Sequence, residues 1–190
     1  MNPNEVNLAA TNSAAPASLR PQPGEYAAYY ERYISLVPDT EGGNDVLATL
    51  ESQRRQMLLL LSGRTEADGD LRYAPGKWSL KEVLGHVNDT ERIMSYRALR
   101  FARGDMTPLA GFEQDDYVCN GPLGSSLADL IEDYIAVRRA TVSLFRNFDE
   151  AAWGRRGVAS NNEVTVRALA YIIAGHELHH RRIVEEKYLK

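Results

Sequence analysis

A helical repeat of apolar residues runs through four long segments of the chain and limits the fold more than any other pattern. The four helices are predicted at about 44–61, 79–103, 125–148 and 165–188. A shorter, tyrosine-rich helix is predicted at 25–36, and Pro38 ends it. Ser79 and Glu82 form a capping box at the start of the second long helix. No run alternates apolar and polar residues, so we expect an all-α four-helix bundle without a sheet.

The connection at 104–124 contains six Gly and Pro residues and is predicted to be a loop. About 20 extended residues reach at most roughly 66 Å. A helix of about 24 residues is only roughly 36 Å long. Because the loop can cross the whole bundle, the helices before and after it can run parallel.

Composition and charge exclude several classes of protein. The chain has 190 residues, 44% of them hydrophobic, with a net charge of -4 and no basic block, so we expect one soluble domain and no nucleic-acid partner. No apolar run approaches the roughly 20 residues that span a bilayer.

Residues 1–22 are predicted to be a flexible tail and 23–190 the domain. The tail lacks the features of a secretory signal, and Cys119 is the single cysteine, so we expect a cytoplasmic protein. A lone packing or loop cysteine is favoured over a reactive thiol.

All four histidines lie in predicted helices, and three of them fall within five residues. At about 100° per residue, His176 and His180 lie on either side of the buried face of the last helix, whereas His179 lies roughly 80° away. Two buried imidazoles without partners would be costly, and a shared metal ion removes that cost. The alternative is a pair of hydrogen-bonded core histidines.

The same segment matches the H-E-x-x-H signature of zinc proteases. Only ten residues follow His180, and none is a histidine, so a third ligand has to come from upstream. Glu177 is predicted to be solvated on the flank of the helix. His86 is the remaining histidine outside this segment. Asp89, one turn after it, could orient His86, bind a metal-bound water or act as a base, or it could be an ordinary surface acid.

Several short motifs resemble the DinB-like superfamily, which includes bacillithiol transferases of the YfiT type and mycothiol-dependent enzymes. The motifs are Gly24-Glu25-Tyr26, 29–34, Lys77-Trp78-Ser79, Gly85-His86, 89–92, 97–100, 103–105 and 175–180. The resemblance implies an up-down-down-up four-helix bundle and three metal ligands at His86, His176 and His180. It also implies nickel or zinc as the metal and a homodimer.

Three protein nitrogens and one open position are typical of a catalytic metal. The resemblance favours a transferase that uses a low-molecular-weight thiol on small electrophiles. A metal-dependent hydrolase and a non-enzymatic metal-binding stress-response protein are the alternatives. The residues considered for substrate binding are Trp78, Tyr30, Arg97, Tyr29, Phe112, Tyr117 and Arg100. Core packing of the aromatic residues and solvation of the arginines are the competing interpretations.

Overall fold

The computed structural model describes residues 20–39, 45–121 and 124–189, so most of the predicted tail lies outside the described residues. The described helices are α1 (Glu31–Ile34), α2 (Val46–Leu61), α3 (Glu66–Asp70), α4 (Leu80–Ala102), α5 (Gln114–Cys119), α6 (Leu127–Arg146), α7 (Glu150–Gly154) and α8 (Val166–Ile183). A 3-10 turn, Ala28–Tyr30, precedes α1, and a π-helical turn, Val184–Tyr188, follows α8. The all-α class and the four long helices are confirmed.

Side-chain caps fix where the long helices begin. The Glu82 N–H donates to the Ser79 hydroxyl at 3.2 Å, and the Ser79 N–H donates to the Glu82 carboxylate at 2.6 Å, which confirms the predicted capping box. Ser126 and Asp129 form an equivalent box at α6. Caps of this kind satisfy backbone N–H groups that the first helical turn leaves without partners.

The helices α4 and α6 run in the same direction. The Asn88 amide donates to the Leu130 carbonyl at 3.1 Å, and two turns later the Ser95 hydroxyl lies 3.0 Å from the Thr141 hydroxyl. Positions on the two helices therefore pair in increasing order. The long connection between them makes this direction feasible, because a short loop would force antiparallel neighbours.

A small sheet, which we did not expect, covers one end of the bundle. Strands β1 (Arg156–Ala159) and β2 (Asn162–Thr165) pair antiparallel across a two-residue turn, in which Ser160 and Asn161 have φ of 52° and 61°. The prediction of no sheet was wrong because each strand has only four residues, too few for a visible alternation. A positive φ at both turn positions is typical of the tight hairpin turn.

The predicted loop at 104–124 also contains structure. Leu109 forms a bridge to Ala159 of the hairpin, and α5 packs against α4 through the buried Val118. The interpretation of this segment as an irregular loop was therefore incomplete. The Gly and Pro residues on both sides favour a loop, although the segment contains a helix of six residues.

Helix α8 is the centre of the molecule, since α1, α2, α4 and α7 all pack against it. Glu177 on this helix is only 1% exposed, so the prediction that it is solvated was wrong. The prediction treats α8 as an ordinary surface helix, one side of which faces water. The surrounding helices leave no such side over most of α8.

A buried ionic network joins the four long helices. The Arg138 guanidinium donates to both carboxylate oxygens of Glu91, at 2.8 and 3.1 Å through Nε, and also to the Leu50 carbonyl and the Gln53 side chain. The Gln53 amide in turn donates to the Ala174 carbonyl on α8 at 2.9 Å. These bonds fix the relative positions of α2, α4, α6 and α8 deep in the core.

Candidate metal centre

Three histidines meet in the interior between α4 and α8. His86 is carried by α4, and His176 and His180 stand one turn apart on α8. One ring nitrogen from each lies within 4.8 Å of the other two, and the Nε2 atoms of His86 and His176 are 3.0 Å apart. This group is referred to below as the histidine cluster.

Burial keeps the histidine cluster neutral. It lowers the pKa of His86 to about 4 and that of His180 to about 3, and it holds the pKa of His176 well below its usual range. A neutral imidazole has the free lone pair that a metal ligand needs. Two nitrogens that bind one tetrahedral ion at about 2.0–2.1 Å lie roughly 3.3 Å apart. The 3.0 Å between the Nε2 atoms of His86 and His176 is close to that value, and all three nitrogens lie within 4.8 Å of one another, so the donor set fits a divalent metal ion.

Close packing of α1 places an aromatic ring on the histidine cluster. A Cβ at Gly175 would come within 2.0 Å of the Tyr33 carbonyl oxygen, so only glycine permits this approach of α1 to α8. The Tyr33 ring consequently packs edge-on against His176, with centroids 5.3 Å apart. On the opposite side, Trp78 packs against His86 at 4.9 Å and stacks with His180 at 6.5 Å.

A cavity of about 310 Å³ opens beside the histidine cluster and is lined by both His86 and His176. We call it the aromatic cavity, because its walls include Tyr29, Tyr30, Tyr33, Phe112, Met94 and Ile172. Thr90 is part of the cavity wall at 4% exposure, and its buried hydroxyl has no hydrogen-bond partner among the described residues. The two potential metal ligands in its wall make this cavity the candidate binding site for a small molecule.

Two further cavities reach the histidine cluster from other directions. One of about 260 Å³ is lined by His180, Trp78 and Tyr188. Another of about 170 Å³ is lined by His86 and Asp89. Cavities therefore border the cluster on more than one side.

The structure places most of the predicted substrate-binding residues around the histidine cluster. Tyr30 and Phe112 line the aromatic cavity, and Trp78 lies on the other side of the cluster. Arg97 does not line the cavity. It is 3% exposed and donates to the Ser160 hydroxyl at 3.1 Å and the Ala110 carbonyl at 2.9 Å, so it supports the wall from behind. Its buried position shows that the interpretation as a solvated surface residue does not hold.

The remaining predicted residues do not line the aromatic cavity. Asp89 shares a cavity with His86, its pKa is raised by burial, and Arg92 lies 3.7 Å from its carboxylate. Tyr117 lines that same cavity. Arg100 forms an ion pair with Asp105 and donates to Tyr96, which occupies its guanidinium. Cys119 is exposed.

The residues of the aromatic cavity that sequence reasoning missed include Tyr33, Thr90 and Asp115. Tyr33 and Thr90 are part of ordinary helical patterns, so only their packing reveals them. Asp115 lies on α5, in the segment predicted to be a loop, and its charge raises the pKa of His86 against the larger effect of burial. A run of three acidic residues in four positions, Glu113 to Asp116, was the available signal.

His179 and Glu177 do not join the histidine cluster. His179 is partly buried and packs between the rings of Tyr33 and His180, at 5.6 and 5.0 Å. Burial raises the pKa of Glu177 to about 7, and the other charges that act on it include Arg138, Arg181 and Glu91. Its setting in the ionic core differs from the metal-facing glutamate that the H-E-x-x-H signature requires.

The fold and the site together define the class of protein: a helical bundle that carries three buried histidines on two facing helices. The family model of the DinB superfamily matches residues 49–184, and the chain belongs to that superfamily. Among solved structures, the chain resembles YfiT from Bacillus subtilis, described as a probable metal-dependent hydrolase with an unusual four-helix bundle topology. The TM-score is 0.66 at 13% identity, over 74% of this chain and 82% of that one. No curated protein matches the sequence.

No described helix combines the length and the apolar character needed to cross a membrane.

Proposed function

We propose that His86, His176 and His180 bind one divalent metal ion, nickel or zinc, and that the protein is a metal-dependent enzyme acting on small molecules. The observation that carries this proposal is the neutral histidine cluster, whose three nitrogens lie within 4.8 Å of one another next to a cavity. Imidazole nitrogen suits both metals. When bound, such an ion is a Lewis acid that lowers the pKa of a thiol or a water at its open position.

The favoured reaction is the transfer of a low-molecular-weight thiol to a small electrophile. The resemblance of the motifs supports this choice, and the aromatic cavity supplies space for a small organic molecule beside the cluster. Tyr30 and Trp78 contribute aromatic surface to substrates, and Arg97 holds Ser160 in the cavity wall. Asp89 is the proposed proton acceptor on the side of His86 that faces the smallest of the three cavities.

Hydrolysis of a small ester or amide is the second candidate, and the description of YfiT as a probable metal-dependent hydrolase favours it. The same residues would serve this reaction, with water in place of the thiol. The two reactions differ in whether product formation depends on an added thiol.

The decisive experiment begins with elemental analysis of the purified protein. We expect about one nickel or zinc per chain and loss of that metal in the His86→Ala/His180→Ala variant. The metal-loaded protein is then assayed with monochlorobimane and a set of thiols, and with nitrophenyl acetate without thiol. Turnover that requires one thiol and disappears in His176→Ala supports the transferase, whereas turnover of the ester alone supports the hydrolase. Stoichiometric metal in the double variant refutes the assignment of ligands.

The proposal also includes a homodimer in the cytoplasm. The resemblance supports the dimer, and the composition of the chain supports the location. Sedimentation analysis of the purified protein tests the first, and cell fractionation tests the second. Absence of turnover with every thiol and ester, in protein that does carry the metal, would favour a non-enzymatic metal-binding role.

A further inference from the structure

The indole of Trp78 packs against two members of the histidine cluster. Its centroid lies 4.9 Å from that of His86. The ring is nearly parallel to that of His180, with an angle of 19° between the planes and 6.5 Å between the centroids. His86 is carried by α4 and His180 by α8, so one side chain packs against a candidate ligand on each helix. The position of Trp78 therefore affects the geometry of the whole site.

Hydrogen bonds do not fix the orientation of these two imidazoles. A histidine that binds a metal ion usually donates its second ring N–H to a carboxylate or a carbonyl, which orients the ring. Among the residues that the structure describes, no hydrogen bond reaches the His180 ring, and the one on His86 comes from His176, itself a candidate ligand. The orientation of both rings therefore depends on packing, and Trp78 is the partner outside the cluster that they share.

Two hydrogen bonds hold the backbone that carries the indole. The Tyr188 hydroxyl donates to the Trp78 carbonyl at 2.6 Å. The Arg72 guanidinium donates to the neighbouring carbonyl of Lys77 at 2.7 Å. Trp78 directly precedes Ser79, the N-cap of α4, and Tyr188 ends the π-helical turn after α8. The bond from Tyr188 thus joins the end of one histidine-bearing helix to the beginning of the other.

The surroundings of Tyr188 make this bond important for the indole. Tyr188 is 6% exposed, and its ring packs edge-on against that of Tyr73, with centroids 5.2 Å apart. Burial raises the pKa of Tyr188 to about 12, so the hydroxyl keeps the proton that it donates. The cavity of about 260 Å³ that Tyr188 shares with Trp78 and His180 leaves space into which the indole can move. The hydrogen bond, rather than close packing on that side, therefore keeps the indole against the histidines.

We propose that Tyr188 is a positioning residue for the metal site, because it holds Trp78 against the histidine cluster. The indole in turn orients the His86 and His180 rings and keeps their nitrogens within reach of one metal ion. Neither Tyr188 nor Trp78 binds the ion itself. The inference deepens the proposed function, on which it rests: Trp78 takes part in metal binding in addition to its contact with substrate.

The first test compares the nickel affinities of full-length Tyr188→Phe and Tyr73→Phe by competition with a chelator. Both changes remove one hydroxyl from the same cavity, but the Tyr73 hydroxyl forms no hydrogen bond with any residue that the structure describes. We expect Tyr188→Phe to bind nickel about tenfold more weakly than wild type, as when a contact that orients a metal ligand is lost. Tyr73→Phe should keep the affinity of the wild type. Equal affinities of the two variants would overturn the proposal.

A double-variant cycle tests whether Tyr188 acts through the indole. Trp78→Leu removes the ring and should weaken nickel binding at least as much as Tyr188→Phe does. Because the two residues act in series, adding Tyr188→Phe to Trp78→Leu should cause little further loss. A further loss of the full tenfold, or a Trp78→Leu variant with the affinity of the wild type, would overturn the proposal.

Val142→Ala separates positioning from a general loss of stability. Val142 is buried in one hydrophobic cluster of the core, whereas Tyr188 and Trp78 belong to the other. The cavity that this change leaves should lower the urea midpoint and leave the nickel affinity unchanged. Nickel binding weakened as much in Val142→Ala as in Tyr188→Phe would show an effect of stability alone and would refute the positioning role.

Acrylamide quenching of tryptophan fluorescence tests the contact in the metal-free protein. The chain has two tryptophans, and Trp153 is only 1% exposed, so acrylamide reaches chiefly Trp78. We expect stronger quenching in Tyr188→Phe than in wild type or Tyr73→Phe, and equal quenching in all three would refute the role of Tyr188. Failure of the wild type to bind nickel or zinc, with this difference in quenching present, would refute the proposed function and leave the contact standing. The two failures are therefore distinguishable.

Discussion

The Nε2 atoms of His86 and His176 lie 3.0 Å apart, although 90 positions separate these residues in the chain. Both rings are neutral, so without metal one N–H can donate to the lone pair of the other ring. A metal ion would replace this single hydrogen bond with bonds to three nitrogens. Metal binding is therefore expected to hold α4 and α8 together more strongly than the metal-free contact does.

Metal is expected to stabilise the fold. At a free concentration of about 100 times Kd, a ligand specific to the folded state contributes about 2.7 kcal/mol, which raises Tm by roughly 5–10 °C in a chain of this size. Thermal unfolding with nickel or zinc, and again after chelation, measures the difference. The His86→Ala/His180→Ala variant serves as the control, and a rise of equal size in that variant would contradict the assignment.

His179 and His180 are expected to respond oppositely to substitution. His180 belongs to the histidine cluster, whereas His179 packs against Tyr33 outside it. His179→Ala should keep about one metal per chain, and His180→Ala should lose most of it. Metal analysis of both variants, after circular dichroism has shown that they fold, decides the matter. The reverse pattern would require a different set of ligands.

Gly175→Ala is expected to lower the free energy of unfolding. Its added Cβ would meet the Tyr33 carbonyl at 2.0 Å, and backbone yields less easily than a side chain. Forced overpacking of this kind costs about 1–3 kcal/mol. We expect a lower midpoint in urea and weaker metal binding, because displacement of α1 removes the Tyr33 ring from His176. Gly154→Ala is the control, since a Cβ there meets no atom within 4 Å. Equal stability of the two variants would argue against the close approach.

The ion pair of Glu91 and Arg138 is expected to affect the stability of the fold mainly through the cost of removing one partner alone. Arg138 is fully buried and Glu91 is 2% exposed, so Arg138→Met leaves a buried carboxylate without its partner. Removal of one partner from such a pair typically costs about 3–5 kcal/mol. The double variant Glu91→Leu/Arg138→Met should recover a large part of that loss in urea unfolding. A double variant as unstable as the sum of the two single variants would show that the pair does not act as a unit.

The carboxylate of Glu25 links the N-terminal segment to α8 and is expected to make stability depend on pH. Burial alone would raise its pKa, but hydrogen bonds from the Gln22 N–H, Arg167 and Thr165 hold the pKa below its ordinary value. A lowered carboxyl pKa stabilises the fold above the unfolded-state pKa, and this contribution is lost as the pH falls through the folded-state pKa. The difference in unfolding free energy between wild type and Glu25→Gln should therefore shrink from about pH 7 to about pH 3. A difference that does not change with pH would exclude this mechanism.

Local rules predicted the parts of the fold that depend on neighbouring residues. The capping box at Ser79, the ends of the long helices and the shared direction of His176 and His180 all follow from helical geometry. The same rules could not detect the two short strands or α5, because four to six residues carry too little pattern. They also predicted that Glu177 is solvated, because the spacing of residues within α8 does not show how many helices surround it.

The sequence by itself determined the all-α class, the family and the two histidines one turn apart on α8, because backbone hydrogen bonds fix the spacing within a helix. Only the tertiary structure decided that His86 meets them, that Thr90 has no hydrogen-bond partner among the described residues and that the exposed Asp115 lines the aromatic cavity. These relationships depend on how α1, α4, α5 and α8 pack. Packing arises from contacts between residues far apart in the chain, which the spacing of residues within one helix does not specify.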